Sequence, residues 1–174
     1  MQPIEVFQLS SRAKETLASP ELFKKRLDAG ESILDVFGFS TEALTGFYDA
    51  AVALMDEKRY VDASDAFYFL TVMVPNEPLF WLGTARSDWH AEKPAQALGS
   101  YLMALGLQPA DVEVFLETLR CCIAIDNVEC AQRILEQAFE YAEANPEDPA
   151  AQKLRTVAEK AKIELAGYAQ PRGE

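Results

Sequence analysis

Residues 80–109 read FWLGTARSDWHAEKPAQALGSYLMALGLQP, and their pattern recurs on both sides of them at a spacing of 34 residues. The recurring positions carry large and small apolar side chains in a fixed order. They are Phe47, Trp81 and Phe115; Ala51, Ala85 and Leu119; Ala63, Ala97 and Ala131; Phe67, Tyr101 and Leu135; and Leu70, Ala104 and Ala138. A period of this length is typical of stacked supersecondary units that bury one continuous core.

The order of residues within each unit resembles the tetratricopeptide repeat, a helix–turn–helix unit. Ala63 and Phe67, like Ala97 and Tyr101, match its second helix, where a small residue allows close helix packing and an aromatic ring fills the space between layers. Proline then ends the unit, at Pro75 and Pro109 in the first two and later in the third. The sequence therefore predicts an all-α array of three helix pairs, at residues 44–57 and 60–74, 78–91 and 94–107, and 112–125 and 128–144.

The N-terminal region, residues 1–42, falls outside the repeat register. Ser19 and Pro20 form a helix-start signal, and Gly30 is a stop signal after it. Residues 33–39 are markedly apolar and need to be buried. Two partners fit this segment: the first repeat, on which it would form an N-terminal cap, or a second copy of the chain.

The C-terminal region contains a further predicted helix, at residues 149–167. It follows two helix-breaking pairs, Asn145-Pro146 and Asp148-Pro149. It suits a capping role because a terminal unit needs a polar outer face. We therefore divide the chain into an N-terminal helical extension and candidate dimerisation segment (1–42), three tetratricopeptide-like repeats (43–146) and a capping helix with its tail (147–174).

Charge and composition exclude several classes of partner. The chain has 28 Asp and Glu against 16 Lys and Arg, a formal net charge of −12, so it lacks the basic surface that nucleic acids and anionic membranes require. No apolar run is long enough for direct membrane insertion, and the first ten residues lack the pattern of a signal peptide. Three cysteines do not form a disulfide framework. We expect a cytoplasmic protein.

Candidate catalytic and metal-binding groups are few. The single histidine, His90, has no cysteine or carboxylate set at ligand spacing, so a role as a polar groove or loop residue is favoured over metal binding. Cys121, Cys122 and Cys130 lack Cys-x-x-Cys spacing and suit a half-buried core role. Phosphate-binding loops and nucleophile motifs are also missing from the sequence. We expect no enzyme activity, no cofactor and no bound metal.

The first helix of each pair is expected to line a concave surface, because that helix faces inward in arrays of this kind. The candidate groove residues are Tyr48, Val52, Met55, Leu79, Leu82, Arg86, Trp89, Leu116, Arg120 and Ile123, with His90 beside them. For any single leucine or valine a place in the core is the alternative. Two helix layers cannot cover both faces of every first helix, however, and aromatic, Met and Arg side chains are favoured at interfaces. The strip therefore predicts binding of an extended or partly helical peptide with spaced hydrophobic anchors.

Four of these residues make that prediction testable. Tyr48, Leu82, Trp89 and Leu116 are expected to be replaceable without opening the core, unlike Ala63 or Phe67.

A more specific resemblance extends over about residues 30–140. The segments at 30–44, 48–51, 58–63, 80–86 and 97–101 are similar to the class II chaperones of bacterial type III secretion. Trp81, Leu82 and Gly83, placed within the 34-residue register, are its most specific part.

This resemblance implies three helical repeats, an N-terminal region that takes part in dimer formation, and a concave groove. In that family the groove holds secreted hydrophobic translocator proteins in the cytosol. The candidate dimerisation residues are Leu22, Phe23, Leu27, Ile33, Leu34 and Phe37. The alternative is a helical-repeat scaffold whose groove takes a linear motif of a folded partner.

Overall fold

Ten helices, and no strand, occupy residues 11–168, the part of the chain that the computed structural model describes. They are α1 (Ser11–Ala18), α2 (Pro20–Asp28), α3 (Ile33–Phe37), α4 (Thr41–Asp56), α5 (Tyr60–Met73), α6 (Pro78–His90), α7 (Pro94–Leu107), α8 (Val112–Ala124), α9 (Val128–Ala144) and α10 (Pro149–Tyr168). The predicted all-α array is confirmed: α4 with α5, α6 with α7 and α8 with α9 form the three pairs. Helices α1 and α3 were not predicted as separate helices.

The turn inside each pair repeats as faithfully as the helices do. Lys58, Glu92 and Asp126, spaced by 34 residues, have φ values of 60°, 60° and 55°. In each turn the next residue's N–H donates to a carbonyl five positions back, as Lys93 does to Asp88 at 2.9 Å. This left-handed C-cap satisfies carbonyls that the helix end leaves without a partner. The chain therefore reverses direction in the same way three times.

The repeat positions form the core, as their pattern predicted. Ala63, Ala97 and Ala131 are 0% exposed, and Phe67 and Tyr101 are buried between the layers. Close packing extends to Gly83 on α6, where an added Cβ would lie less than 3.0 Å from atoms of the Phe67 ring. Small residues at these points let adjacent helices approach, and the buried side chains form two clusters, one in the first repeat and a larger main core cluster in the rest of the array.

The N-terminal helices form a small unit around a buried guanidinium group. Arg26 pairs with Glu31 and donates hydrogen bonds to the Thr16 hydroxyl at 3.0 Å and the Val36 carbonyl at 3.1 Å. This hydrogen-bonded pair lowers the pKa of the Glu31 carboxyl below its ordinary value. Residues 1–10 of the predicted extension lie outside the described part of the chain.

The apolar segment at residues 33–39 packs on the first repeat. The Phe39 ring meets Phe47 on α4 at 5.4 Å and Phe69 on α5 at 5.9 Å between centroids, in edge-to-face geometry. Helix α3 also contacts α5. The two burial partners considered for this segment were the first repeat and a second copy of the chain. At least the aromatic end of the segment, at Phe39, is therefore packed against the first repeat.

Helix α10 covers the other end of the stack. Its Ala151, Leu154, Ala158 and Leu165 share one buried face, and the helix packs against α9 and α8. Its outer face is largely polar. None of the described helices is long and apolar enough to cross a bilayer.

Candidate peptide-binding groove

Nine of the ten predicted groove residues form three rungs of repeat-equivalent positions on α4, α6 and α8. The rungs are Tyr48, Leu82 and Leu116; Val52, Arg86 and Arg120; and Met55, Trp89 and Ile123. Within each helix they are four and then three residues apart, so they share one helical face. The tenth, Leu79, lies on the same face of α6, three residues before Leu82.

Five of the ten are exposed and available to a ligand. Leu79, Leu116 and Ile123 present large apolar side chains to solvent, and Arg86 and Arg120 lie beside them. Exposed apolar side chains grouped in this way are typical of binding surfaces.

Leu82 does not behave as predicted. It is 8% exposed and belongs to the main core cluster, whereas its repeat equivalent Leu116 is 42% exposed. Helix α6 packs more extensively against α5 and α7 than α8 packs against its own neighbours, so side chains on this mid-array helix are covered more completely. The expectation that Leu82 could be replaced without opening the core is wrong.

Tyr48 and Trp89 are half-buried and combine two roles. The Tyr48 ring lies 5.8 Å from Phe67 and 6.0 Å from Phe80 between centroids, while Trp89 packs against the main core cluster. Replacing either ring would remove core contacts as well as groove surface, so the prediction of an unchanged core fails for both. Val52 and Met55 pack against the first-repeat cluster in the same way.

Ion pairs cross the middle of the strip. The Arg86 guanidinium donates to Glu113 on α8 at 2.7 Å, and Arg120 donates to Glu117 at 3.0 Å. The Arg120 guanidinium also lies over the Trp89 ring, 6.0 Å from its centroid. Exposed pairs of this kind contribute at most about 1 kcal/mol, so a ligand carboxylate can exchange with Glu113 or Glu117.

Beneath these pairs lies the buried phenol of Tyr101. Its hydroxyl is 3.5 Å from Glu117, and burial, followed by the charge of that carboxylate, raises the pKa of Tyr101 above its ordinary value. The phenol therefore stays protonated and helps to hold Glu117 beside Arg120.

Two pockets flank the ion pairs. One, of about 220 Å³, lies between α4 and α6 and is lined by Leu44, Thr45, Tyr48, Glu77, Leu79 and Phe80. The other, of about 340 Å³, is lined by Leu116, Leu119, Arg120, Ile123, Leu135, Ala161, Glu164 and Leu165. Both are mainly apolar and each can accept a hydrophobic side chain of a peptide.

The second pocket includes residues that the sequence analysis missed. Ala161, Glu164 and Leu165 belong to α10, which was predicted only as a cap, and they form a wall opposite Leu116 and Ile123. Leu154, Ala158 and Leu165 are buried and lie at helical spacing, so they mark the face of α10 that turns inward. This apolar spacing was the sequence signal that could have predicted the position of α10 beside the pocket.

The other candidate residues have structural surroundings. His90 stacks on Tyr60 with 5.0 Å between ring centroids. Cys121 and Cys122 are buried, and burial raises the pKa of each thiol to about 12, which disfavours the reactive thiolate. Among residues 11–167 no three metal-ligating side chains lie close enough together to hold an ion.

The six candidate dimerisation residues are all half-buried in the unit that α1, α2 and α3 form. They are Leu22, Phe23, Leu27, Ile33, Leu34 and Phe37. Each keeps some exposed surface, so their contact with a second copy stays a prediction.

Comparison with solved structures identifies the fold. No protein-family model and no curated protein matches the chain. A T3SS complex from Aeromonas hydrophila matches with a TM-score of 0.68 and 17% identity over 87% of this chain and 99% of that one. PcrH of Pseudomonas aeruginosa, bound to the chaperone-binding region of PopD, matches with a TM-score of 0.59 and 18% identity over 75% and 96%. SycD, the type III secretion chaperone of Yersinia enterocolitica, bound to a peptide of the translocator YopD, matches with a TM-score of 0.58 and 18% identity over 75% and 98%.

The chain has the tetratricopeptide-like fold of the translocator chaperones. At 17–18% identity the likeness establishes the fold. It extends over nearly the whole of each matched chain. Within this fold, the exposed strip on α6 and α8 is the candidate surface for a peptide.

Proposed function

We propose that this protein is a chaperone of bacterial type III secretion. It binds a hydrophobic translocator protein in the concave groove, through an extended segment of that client. Binding keeps the client soluble and competent for export. The chaperone acts in the bacterial cytoplasm, without catalysis and without a cofactor.

The observation that carries this proposal is the fold. The chain matches three type III secretion structures over 75–87% of its length, and two of those structures hold a segment of a translocator. A repeat array is a scaffold that many proteins use, so this likeness alone would leave the ligand open. The residues of the groove indicate which class of ligand fits.

The chemistry of the groove supports a hydrophobic client. Leu79, Leu116 and Ile123 are exposed on one side of the array, next to two apolar pockets. A translocator must later enter a membrane, so before export it carries apolar segments that would aggregate. A partner with a net charge of −12 that covers such a segment keeps the complex soluble through charge repulsion.

Co-expression tests the proposal directly. The full chain is produced together with each hydrophobic type III translocator of the same organism, and the soluble fraction is purified through a tag on the chaperone. We expect one translocator to co-purify and to be insoluble when produced alone. If every translocator is equally soluble with and without this chain, the proposal is wrong.

The exposed groove residues indicate which substitutions should weaken binding of the client. Leu79→Glu and Leu116→Glu place a charge on exposed apolar positions, so they leave the core intact. Truncating a buried interface anchor commonly removes about 2 kcal/mol or more, and a buried charge removes at least as much. We expect each variant to bind the client more than tenfold more weakly, measured by isothermal titration calorimetry with a client peptide, at an unchanged melting temperature.

Val61→Glu is the matched control. Val61 is as exposed as Leu79, but it lies on α5, the second helix of its pair. We expect it to keep full affinity. Loss of binding in Val61→Glu with full binding in Leu79→Glu and Leu116→Glu would contradict a concave site.

The co-expression experiment also separates the scaffold alternative. A scaffold would bind a short motif of a stably folded partner and would not alter that partner's solubility. A chaperone changes the solubility of its client.

A further inference from the structure

Two of the three cysteines meet at the turn between α8 and α9. Cys122 lies near the end of α8 and is 0% exposed, whereas Cys130 lies in the first turn of α9 and is half-buried. The Cys122 thiol donates a hydrogen bond to the Cys130 sulfur. The two sulfur atoms are therefore neighbours across the turn, which is the first requirement for a bond between them.

The backbone of the turn holds this arrangement through one residue, Asn127. Its N–H donates to the Cys122 carbonyl at 2.8 Å, and its side-chain Oδ1 accepts a hydrogen bond from the Cys130 N–H at 2.9 Å. Asp126, which precedes it, has the left-handed φ of 55° that closes the turn. Because both cysteine backbones are tied to the same residue, little movement is left to separate their sulfur atoms.

The third turn differs from the other two in this respect. The residues at the position of Asn127 are Arg59 and Lys93, and neither gives its helix a side-chain cap. The positions of the two cysteines hold Leu54 and Asp62 in the first unit and Asp88 and Gln96 in the second. The thiol pair and the cap that orients it therefore occur together, in the third unit.

Cys130 is the member of the pair that a reagent in solution can reach. It lines a pocket of about 290 Å³, together with Asn127, Arg133 and neighbouring side chains of α7 and α9. Cys122 belongs to the main core cluster and has no exposed surface. A small oxidant can therefore enter the pocket and react at Cys130, with the Cys122 thiol beside the product.

The third thiol, Cys121, is turned to a different side of α8. Successive residues of a helix point about 100° apart, and Cys121 lies near Glu117, one turn before it. Burial, followed by the charge of Glu117, raises the pKa of Cys121 to about 12, so this thiol stays protonated. Cys122 is left as the partner of Cys130.

We propose that Cys122 and Cys130 form a reversible disulfide bond when the chain meets hydrogen peroxide. In the first step the Cys130 thiol attacks a peroxide oxygen, the O–O bond breaks, and a sulfenic acid at Cys130 and one water result. The Cys122 thiol then attacks the Cys130 sulfur, and its proton leaves with the hydroxyl group as a second water while the S–S bond forms. Two electrons pass from the sulfur atoms to the peroxide. A small dithiol, which itself becomes a disulfide, returns two electrons and restores both thiols.

The bond joins α8 to α9 covalently. These two helices pack less extensively against each other than α6 and α7 do. A disulfide stabilises a protein chiefly by restricting the unfolded chain, so it favours the paired conformation of the third unit. The site does not depend on the proposed function, because its chemistry involves residues of this chain and peroxide only.

Thiol counting in the full chain tests the pair. The native protein is treated with a stoichiometric amount of hydrogen peroxide, and free thiols are then measured with Ellman's reagent in denaturant. We expect the count to fall from three to one and to return to three after dithiothreitol. Peptide mapping by mass spectrometry is expected to find Cys122 linked to Cys130 within one chain.

Two variants separate this pair from ordinary cysteine oxidation. Cys121→Ala keeps both members of the pair and is expected to lose both of its remaining thiols as fast as wild type loses two. Cys130→Ser removes the accessible member, and it is expected to keep its two thiols because Cys121 and Cys122 are buried. Peptide mapping of the wild-type protein decides the pairing even where a substitution impairs folding.

Thermal unfolding gives a second measurement. The oxidised wild-type protein is expected to melt about 5 °C or more above the reduced protein, since the native turn already holds the two sulfur atoms together. Cys130→Ser is expected to melt at the same temperature before and after the treatment.

Any of four results would overturn the proposal. They are three free thiols after oxidation, a disulfide that includes Cys121 or joins two chains, conversion of Cys130 to sulfinic acid without a disulfide, and an oxidised form no more stable than the reduced one.

Discussion

Replacing Ala97 with glutamate is expected to leave the chain largely unfolded. Ala97 is 0% exposed and lies in the main core cluster, where α7 packs closely against its neighbours. A glutamate there adds volume to a filled interior and places a carboxylate among apolar side chains without a partner. The combined loss of several kcal/mol is a large part of the 5–15 kcal/mol that stabilises a typical protein.

Urea denaturation followed by circular dichroism at 222 nm measures this effect. Ala95→Glu is the control, since it makes the same change two residues earlier on an exposed position of the same helix. We expect that variant to unfold within about 0.5 kcal/mol of wild type. If both variants are equally stable, the repeat register is wrong.

Replacing Gly83 with alanine is expected to lower the free energy of unfolding by about 1–3 kcal/mol, the usual range for overpacking a core. The new methyl group would overlap the Phe67 ring, which is itself buried and packed against Tyr48, so the ring has little room to move. For a domain of this size, a change of 1 kcal/mol in the free energy of unfolding corresponds to a change of about 2–4 °C in melting temperature.

The same substitution at Gly46 has the opposite expected sign. Gly46 lies on α4, and an added Cβ there would meet no atom within 4 Å. Alanine then only improves helix propensity, by about 0.5–1 kcal/mol. Thermal unfolding of both variants distinguishes a packing role from a backbone role for Gly83. A stabilised Gly83→Ala protein would show that the helix–helix contact at Phe67 is looser than described.

Much of the fold could be predicted from residue spacing. The helices α7 and α9 begin and end at the predicted residues, and the other repeat helices differ from prediction by at most three residues. The reason is that core positions, turns and prolines all recur with one period, so each unit supports the assignment of the next. The extension was harder to predict, and α1 was missed, because a single unrepeated segment offers no such agreement.

The groove could be predicted only in part. The periodicity placed the candidates on one face of the first helices, but it could not distinguish Leu82 from Leu116, which have the same residue type at equivalent positions. Their different exposure arises from neighbours: α6 lies in the middle of the array, whereas Leu116 on α8 borders a pocket next to α10. Leu116 is therefore the exposed candidate anchor, and Leu82 is a core residue.

By itself, the sequence determined the helix pairs, their order and the residues that fill the space between them. Those features follow from local periodicity and from side-chain size, and both can be recognised in each repeat unit independently. Only the tertiary structure decided which first-helix residues stay exposed and that α10 forms a wall of the second pocket. Exposure depends on contacts between residues distant in the chain, and no local pattern contains them.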